Sequence, residues 1–392
     1  MPVDHAAVDA WTEADLRAAG SLKWTTFPDT IGAFVAEMDF GVAPAIREAV
    51  AASLDDGLTG YLPRHLVTRM AEATAAWYRD RYGWVVPAAR IHAMPDVITA
   101  FEAAIEHFSP ADSAIILPTP AYMPFLTVPP MHGRRVIEVP SIEVDGRWVV
   151  DLDGVARAFD DGGGLLVLCN PHNPLGTVAT RDELRAISQL VSDKGGRVFS
   201  DEIHAPLVYA PATHVPYASV SEAAASHTIT ATSASKAWNL AGLKCAQIIL
   251  SNDADAAVWA RVGFWPSHGT STTGVVANIA AYTGGAPWLD DVVAYLDGNR
   301  RRLAELVAEH LPLARMTVPE GTYIALIDLR AYSPAGDLAA WFRAHAGVAL
   351  TDGTACGAAG AGHVRLVFAL PRPLLEEAVA RMGRALREGD GF

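Results

Sequence analysis

Cysteine is scarce in this sequence. Its three cysteines, Cys169, Cys245 and Cys356, lie far apart and have no paired spacing. So sparse and odd a set excludes a cysteine-based metal site and is typical of a protein in a reducing compartment. We therefore expect a cytoplasmic protein without a bound metal ion.

The sequence also has no long uninterrupted hydrophobic segment. Its longest uncharged segment, residues 262–289, is interrupted by Pro266, Asn278 and several glycines, so we expect no membrane span. Near the N-terminus, Asp4 and Glu13 come before any apolar stretch could form, which is not the pattern of a secretory signal. We expect neither membrane insertion nor secretion.

Positive charge is limited as well. The chain has 30 Lys and Arg against 44 Asp and Glu, giving a formal net charge of -14. The one basic cluster, Arg300, Arg301 and Arg302, lies in a helical pattern and is expected to form a solvated face. This balance argues against a nucleic-acid partner. With 51% hydrophobic residues, the 392 residues suffice for a large globular protein of two domains folded around each other.

The middle of the chain alternates short apolar runs with helical patterns. The runs are residues 114–117, 165–169, 197–200, 228–232 and 246–250. Between the second and third runs, Thr180 and Glu183 have the spacing of a capping box, which predicts a helix that begins there. The alternation predicts an α/β fold, with a mostly parallel central sheet covered by helices on both faces.

Polar or proline-rich turns directly follow four of these five runs. They are PTPAYMPF (118–125), NPHNPLG (170–176), DEIH (201–204) and SASK (233–236). In open parallel sheets, ligands bind at the carboxyl ends of the strands. We therefore expect the polar side chains of these turns to converge on one edge of the sheet.

Lys236 is the residue most informative about function. It lies in the segment TSASKAWNLAGLK (232–244), directly after an apolar run. A lysine that forms a Schiff base needs small hydroxyl neighbours and tight turns, so that its amine can reach an aldehyde beside a phosphate. The segment therefore predicts pyridoxal 5′-phosphate chemistry at Lys236.

Several spaced motifs together carry a family resemblance. They are VAEMDF (35–40), GY (60–61), NPHNPLG (170–176), SDEIH (200–204), SASK (233–236) and NLAGLK (239–244). From about residue 30 to its C-terminus, the chain resembles the fold-type I pyridoxal-phosphate enzymes of the class I/II aminotransferase superfamily. Within that superfamily it is similar to the MalY/PatB branch of cystathionine β-lyase-like carbon–sulfur lyases.

The resemblance implies a role for each residue around the cofactor ring. Lys236 would bind the cofactor covalently and act as the catalytic base. The ring withdraws electrons only while its nitrogen is protonated, which a buried carboxylate favours, and Asp201 fits this need at a strand end. Asn173 and His204 would face the phenolic oxygen, and Tyr122 would stack on the ring.

Other residues would hold the phosphate and the substrate. A phosphate needs backbone N–H groups at a helix N-terminus together with hydroxyls and a cation, for which the candidates are Asp96, Val97, Ile98, Ser233, Ser235 and Lys244. By resemblance, Tyr61 would reach the phosphate of a neighbouring subunit. Arg365 would bind the substrate carboxylate, with Arg372 as the weaker candidate. Phe34 and Glu37 stand where the branch usually has Trp and Asp.

The resemblance also implies the architecture and the reaction. We expect a large cofactor-binding domain (46–284), a smaller α/β domain from both chain ends (1–45 and 285–392), and a homodimer with shared active sites. The expected reaction is β-elimination from cystathionine or an S-substituted cysteine, giving a thiol, pyruvate and ammonia. Transamination is the first alternative, because it would use the same residues. A regulatory protein-binding role on the intact fold is the second.

Overall fold

The computed structural model describes residues 3–332 and 336–388. Its strands in this part of the chain are β1 (Ile31–Gly32), β2 (Ile91–Met94), β3 (Ala114–Thr119), β4 (Val136–Pro140), β5 (Ile142–Val144), β6 (Arg147–Val149), β7 (Gly163–Cys169), β8 (Arg197–Asp201), β9 (Thr228–Thr232), β10 (Ala246–Leu250), β11 (Ile324–Asp328), β12 (Val348–Ala349), β13 (Thr351–Asp352) and β14 (His363–Val367).

The α-helices of the same part are α1 (His5–Asp9), α2 (Glu13–Ala19), α3 (Leu22–Thr25), α4 (Pro44–Asp55), α5 (Arg64–Tyr82), α6 (Val97–His107), α7 (Pro124–Met131), α8 (Leu152–Asp160), α9 (Arg181–Asp193), α10 (Glu222–His227), α11 (Asp253–Val262), α12 (Phe264–His268), α13 (Thr272–Gly284), α14 (Ala286–His310), α15 (Leu338–His345) and α16 (Arg372–Glu388). None of these helices is long and apolar enough to cross a membrane.

A seven-stranded sheet forms the centre of the fold, in the order β2-β10-β9-β8-β7-β3-β4. Every strand runs in the same direction except β10, which is antiparallel to both of its neighbours. Alternate residues enter two separate cores: Ile115 and Leu165 pack with α6, whereas Ile116 and Leu166 pack with α8 and α9. Because both faces are covered, these strands are apolar on both sides. The predicted α/β fold is confirmed.

All five predicted runs are strands, but two further strands of this sheet, β2 and β4, were not predicted. Runs 228–232 and 246–250 match β9 and β10, and the other three extend by one or two residues. β4 lies at a sheet edge and carries the exposed Glu138, and β2 has only four residues, including His92. Neither strand therefore shows the continuous apolar run that marks a strand buried on both faces.

Of the predictions made for two individual helices, one is confirmed and one is partly wrong. The predicted capping box is confirmed at the start of α9, where Thr180 N donates to the Glu183 carboxylate at 2.7 Å and Glu183 N donates to Thr180 Oγ1 at 3.2 Å. The expectation of a solvated arginine face on α14 is wrong for Arg300. Its guanidinium lies 4.7 Å from the centre of the Tyr209 ring and donates to the Pro319 carbonyl.

Residues from both chain ends pack together beside the central sheet. β1 pairs in parallel with β12, β14 lies between β11 and β13 in an antiparallel sheet, and α14 packs on α16. The apolar side chains of these elements share one hydrophobic core. The division at residues 45/46 and 284/285 stays a prediction.

Candidate active site

A cavity of about 220 Å³ lies at the carboxyl edge of the central sheet. It brings together ten of the residues predicted for the site: Asp96, Val97, Ile98, Tyr122, Asn173, Asp201, His204, Ser235, Lys236 and Lys244. A larger cavity of about 360 Å³ lies under the β5–β6 hairpin, and its lining includes none of the predicted site residues. The chemistry of the lining therefore identifies the smaller cavity as the candidate active site.

Lys236 reaches this cavity from the loop that follows β9. Its Nζ donates to the carbonyl oxygen of Ala36 at 3.0 Å. Burial, with a smaller contribution from the positive charge of Arg365, lowers the pKa of the Lys236 amine to about 8. A substantial fraction of this amine is therefore uncharged at mildly alkaline pH, as a nucleophile toward an aldehyde must be.

Asp201 ends β8 and is buried in the wall of the cavity. Its Oδ1 accepts a hydrogen bond from Ile203 N at 3.1 Å, whereas Oδ2 has the Cys169 thiol at 3.6 Å as its partner. Burial raises the pKa of the Asp201 carboxyl to about 6. A thiol is a weak donor, so Oδ2 can accept a stronger one, such as the N–H of a pyridinium ring.

The structure places His204 and Asn173 in the same cavity wall. Nδ1 of the buried His204 ring has no hydrogen-bond partner among residues 3–332 and 336–388. Burial lowers the pKa of His204 to about 3, so the ring is neutral. Asn173 Oδ1 accepts from Arg365 Nη1 at 3.3 Å, which leaves the amide nitrogen of Asn173 able to donate to a ligand.

Arg365 adjoins the cavity on β14 and is buried. Its donors contact neutral oxygens: the Phe34 carbonyl at 2.6 Å, Thr351 Oγ1 at 3.2 Å and Asn173 Oδ1. In the described part of the chain, no carboxylate lies within 4.0 Å of this guanidinium. Burying an unpaired charge is costly, so the position is suited to a substrate carboxylate.

Four of the phosphate candidates, Asp96, Val97, Ile98 and Lys244, lie at the N-terminus of α6. Asp96 caps this helix, because its carboxylate accepts from Thr99 N at 2.8 Å. The same carboxylate lies 3.0 Å from the Lys244 ammonium, and both residues line the cavity with Val97 and Ile98. A helix N-terminus beside an ammonium group is a favourable place for a phosphate.

Two of the phosphate candidates lie outside the cavity. Ser233 Oγ donates its proton to the Cys245 carbonyl at 2.6 Å and accepts from Ser235 N at 3.0 Å, and both bonds lie within the loop and its neighbour. Its predicted contact with the phosphate stays a prediction. Tyr61 is 90% exposed, and its ring lies 6.0 Å from that of His268 on the surface. Because the role predicted for Tyr61 concerns a second subunit, it stays a prediction.

Tyr122 follows β3 and lies in the cavity wall. Burial raises the pKa of its hydroxyl, and its ring makes an edge contact with Phe125 at 5.7 Å. Phe125 in turn packs against Phe101 of α6 at 5.1 Å. An aromatic ring fixed in this way is suited to pack against a flat ligand.

Sequence reasoning missed several groups of this site. The carbonyl oxygens of Ala36 and Phe34 accept from Lys236 and Arg365, and a backbone carbonyl leaves no side-chain signature. Cys169 was noted as a strand end, but its contact with Asp201 follows from the register of β7 with β8. Thr351 binds Arg365 through the pairing of β13 with β14.

Comparisons with known proteins agree with this geometry. A cystathionine β-lyase of Corynebacterium glutamicum is 39% identical, and the match covers 95% of this chain and 98% of the relative. The cystathionine β-lyase PatB of Bacillus subtilis is 31% identical over 93% of this chain and 96% of its own. A Corynebacterium diphtheriae structure described as a candidate PLP-dependent β-cystathionase superposes with a TM-score of 0.92 at 39% identity, covering 97% of this chain and 99% of that one.

The match to a family description covers most of the chain. Residues 31–382 match "Aminotransferase class I and II". This agrees with the fold-type I resemblance and with the likeness to the MalY/PatB branch, both of which are confirmed. With its motifs, its fold and this match in accord, the chain belongs to the aminotransferase class I and II family.

Proposed function

We propose that this chain is a pyridoxal-phosphate-dependent carbon–sulfur β-lyase, cleaving cystathionine or an S-substituted cysteine to a thiol, pyruvate and ammonia. The observation that carries the proposal is the grouping of three buried charged residues. Lys236, with a lowered pKa, and Asp201, with a raised pKa, line one cavity, and Arg365 adjoins it with no carboxylate partner among the residues that the structure describes. The names of the relatives from C. glutamicum and B. subtilis support the choice of substrate.

The described residues fit the cofactor. When bound, pyridoxal phosphate supplies a cationic ring that withdraws electrons from the α-carbon of an amino acid. Asp201 Oδ2 would accept the ring N–H, and the Asn173 amide would donate to the phenolic oxygen near the neutral His204. The N-terminus of α6, Ser235 and Lys244 would hold the phosphate. The unpartnered Nδ1 of His204 and the weakly bonded Oδ2 of Asp201 are the observations that support this fit.

The same residues suit the chemical steps. Arg365 would bind the substrate α-carboxylate through its planar guanidinium and thereby orient the α-carbon. Lys236, once released by the substrate amine, would remove the α-proton as general base, which requires an uncharged amine. Because the pKa of Lys236 is lowered to about 8, the amine can lose its proton at mildly alkaline pH. A thiolate on the β-carbon would then leave.

An assay with cystathionine separates the proposal from the aminotransferase alternative. Both reactions use Lys236, Asp201 and Arg365, and they differ in what happens after the α-proton is removed. Release of pyruvate and homocysteine without any added keto acid would support the lyase. Amino-group transfer that depends on a keto acid would instead identify an aminotransferase.

We further propose that the enzyme acts as a homodimer, with Tyr61 of one copy reaching the phosphate site of the other. Tyr61 lies beside His268 on a surface that also exposes Phe264 (67%) and Trp265 (75%). Exposed aromatic patches of this kind often mark protein interfaces. The proposal that this dimer works in the cytoplasm is supported by three cysteines that are all free thiols.

Hybrid dimers test whether the sites are shared. Lys236→Ala and Tyr61→Ala should each inactivate the homodimer. A hybrid of the two variants contains one site with both residues intact only if Lys236 and Tyr61 come from different chains. Recovered activity in purified hybrids would support shared sites, and inactive hybrids would refute them.

A further inference from the structure

A short backbone segment provides the hydrogen-bond acceptor of the Lys236 amine. We call residues 36–39 the wall segment, because Ala36 lines the cavity. The Ala36 carbonyl accepts from Lys236 Nζ at 3.0 Å and from the Tyr323 hydroxyl at 2.9 Å. The position of this one carbonyl therefore helps to determine where the amine lies.

The loop that carries Lys236 holds the wall segment from one side. Met38 N donates to Asn239 Oδ1 at 2.9 Å, and Asn239 Nδ2 donates to the Met38 carbonyl at 2.9 Å. Asn239 adopts a left-handed backbone conformation with φ of 59°, which asparagine tolerates better than most residues. Lys236 and its acceptor are thus linked through two hydrogen bonds between their own segments.

A buried ion pair holds the wall segment from the other side. The Lys23 and Asp39 side chains are 0% and 5% exposed, and Lys23 Nζ lies 2.7 Å from Asp39 Oδ2. The same ammonium donates to the carbonyls of Glu37 at 3.2 Å and Ala369 at 3.0 Å, and Trp24 Nε1 donates to Asp39 Oδ1 at 3.0 Å. Three acceptors thus match the three N–H donors of the ammonium, and both carboxylate oxygens are bonded.

A buried ion pair adds little net stability, because desolvation offsets the attraction, but its fixed geometry can impose one arrangement. We propose that Lys23, Trp24 and Asp39 are positioning residues for Lys236: they fix the wall segment so that the Ala36 carbonyl holds the amine where it reacts. The inference rests on the proposed role of Lys236 as the cofactor lysine.

The sign of the expected effect follows from the charges around Lys236. A hydrogen bond to the Ala36 carbonyl stabilises the ammonium form, so losing that acceptor should lower the pKa of Lys236 below about 8. The charge of Arg365 also lowers this pKa, whereas Glu37 and Asp201 raise it. Other titratable groups nearby include the neutral His204 ring, the Tyr323 hydroxyl, and the side chains of Asp96, Tyr122, Lys244 and Cys245, which line the same cavity.

Two variants that alter the charge in opposite directions can distinguish a positioning effect from a direct electrostatic effect. Asp39→Asn removes a negative charge and Lys23→Met removes a positive one, so a direct Coulomb effect would shift the pKa of Lys236 in opposite directions. Loss of positioning would lower it in both. Trp24→Phe removes one hydrogen bond to Asp39 without changing any charge, and it serves as the deciding variant if Lys23→Met does not fold.

The deciding experiment follows acetylation of Lys236 in the cofactor-free, full-length protein across pH, with peptide mass spectrometry as the readout. Each of the three variants should lower the pH midpoint by about half a unit or more. In the holoenzyme, kcat for cystathionine should fall while KM changes little. Asp255→Asn is the matched control, because Asp255 is a buried carboxylate paired with Arg197 away from the cavity, and its midpoint should equal that of the wild type.

Two results would overturn the inference. Midpoints that move in opposite directions for Asp39→Asn and Lys23→Met would reduce the effect to electrostatics. Unchanged midpoints, with or without a loss of stability, would give the pair a purely structural role. Failure of the cofactor role of Lys236 would look different, since borohydride reduction of the wild-type holoenzyme would then leave Lys236 without cofactor. An aminotransferase would keep that attachment and would be recognised by amino-group transfer that depends on a keto acid.

Discussion

Arg365 and Asn173 are joined by a hydrogen bond of 3.3 Å between Nη1 and Oδ1. This bond connects β14 with the loop that follows β7, across 192 positions of sequence. In the proposed enzyme it would couple the group that binds the substrate carboxylate to the amide that faces the cofactor. Binding of the substrate and orientation of the ring would therefore depend on each other.

Arg365→Lys tests the role of the guanidinium. Lysine retains the charge but cannot form the planar, bidentate contact, so KM for cystathionine should rise by about 10²-fold, or ~2.7 kcal/mol. Steady-state kinetics provide the measurement. Arg372→Lys is the control, because Arg372 donates to Asn299 at 3.1 Å and stacks over Tyr295, and its KM should stay close to wild type. An equal change in KM for the two variants would show that Arg365 does not bind the substrate carboxylate.

Asp201→Asn tests whether this carboxylate keeps the ring nitrogen protonated. An amide cannot stabilise the pyridinium charge, so kcat/KM should fall by about 10²- to 10³-fold, equivalent to roughly 3–4 kcal/mol of barrier. The variant should also bind the cofactor more weakly, as measured by absorbance titration. Asp182→Asn, on the exposed first turn of α9, should have no effect. Unchanged turnover would mean that another group protonates the ring.

Cofactor capture should depend on pH through Lys236. Since only the uncharged amine attacks the aldehyde, the capture rate of the cofactor-free protein should rise with pH and reach half its maximum near the pKa of about 8. The positive charge of Arg365 lowers this pKa, so Arg365→Met should move the midpoint to higher pH. Stopped-flow absorbance between pH 6 and 10 measures both midpoints. A midpoint at the ordinary lysine value, or one that Arg365→Met moves downward, would contradict this reading.

Glu202 should support the fold and not the chemistry. Its buried carboxylate accepts from Ser200 Oγ and Tyr217 N on one oxygen, and it contacts Tyr78 and His214 at 3.2 Å on the other. Glu202→Ala should lower the free energy of unfolding by about 2–4 kcal/mol. Urea denaturation measures the change, with the exposed Glu222→Ala as a control near zero. A fully stable variant would show that these donors find other partners.

Two of the predicted site residues that line the cavity share one physical feature. Asp201 and Lys236 are polar side chains placed directly after buried strands, and parallel strands bring such positions to one edge. The site was therefore predictable where chain direction and burial pattern determine position. Residues 96–98 were predicted from a different signal, since a proline and a capping aspartate mark the start of α6 although β2 before them was not predicted.

The remaining contacts depend on packing between distant segments. The backbone of the wall segment binds the Asn239 side chain of the Lys236 loop across 201 positions, and Lys23 Nζ donates to the Ala369 carbonyl across 346 positions. The direction of β10 also leaves no trace in its apolar run, because antiparallel and parallel strands buried on both faces look alike. Ser233 was assigned to the phosphate because its motif fits, but its hydroxyl is already bonded to Cys245.

The most direct test of the central claim measures both the attachment of the cofactor to Lys236 and the release of pyruvate from cystathionine. Wild-type holoenzyme should release pyruvate from cystathionine without a keto acid, and borohydride reduction should leave the cofactor attached to Lys236. Lys236→Ala should lose both the attachment and at least ~10³-fold in rate, about 4 kcal/mol of barrier, while Lys194→Ala, at a surface ion pair with Asp160, should lose neither. Near-native turnover by Lys236→Ala would contradict the account.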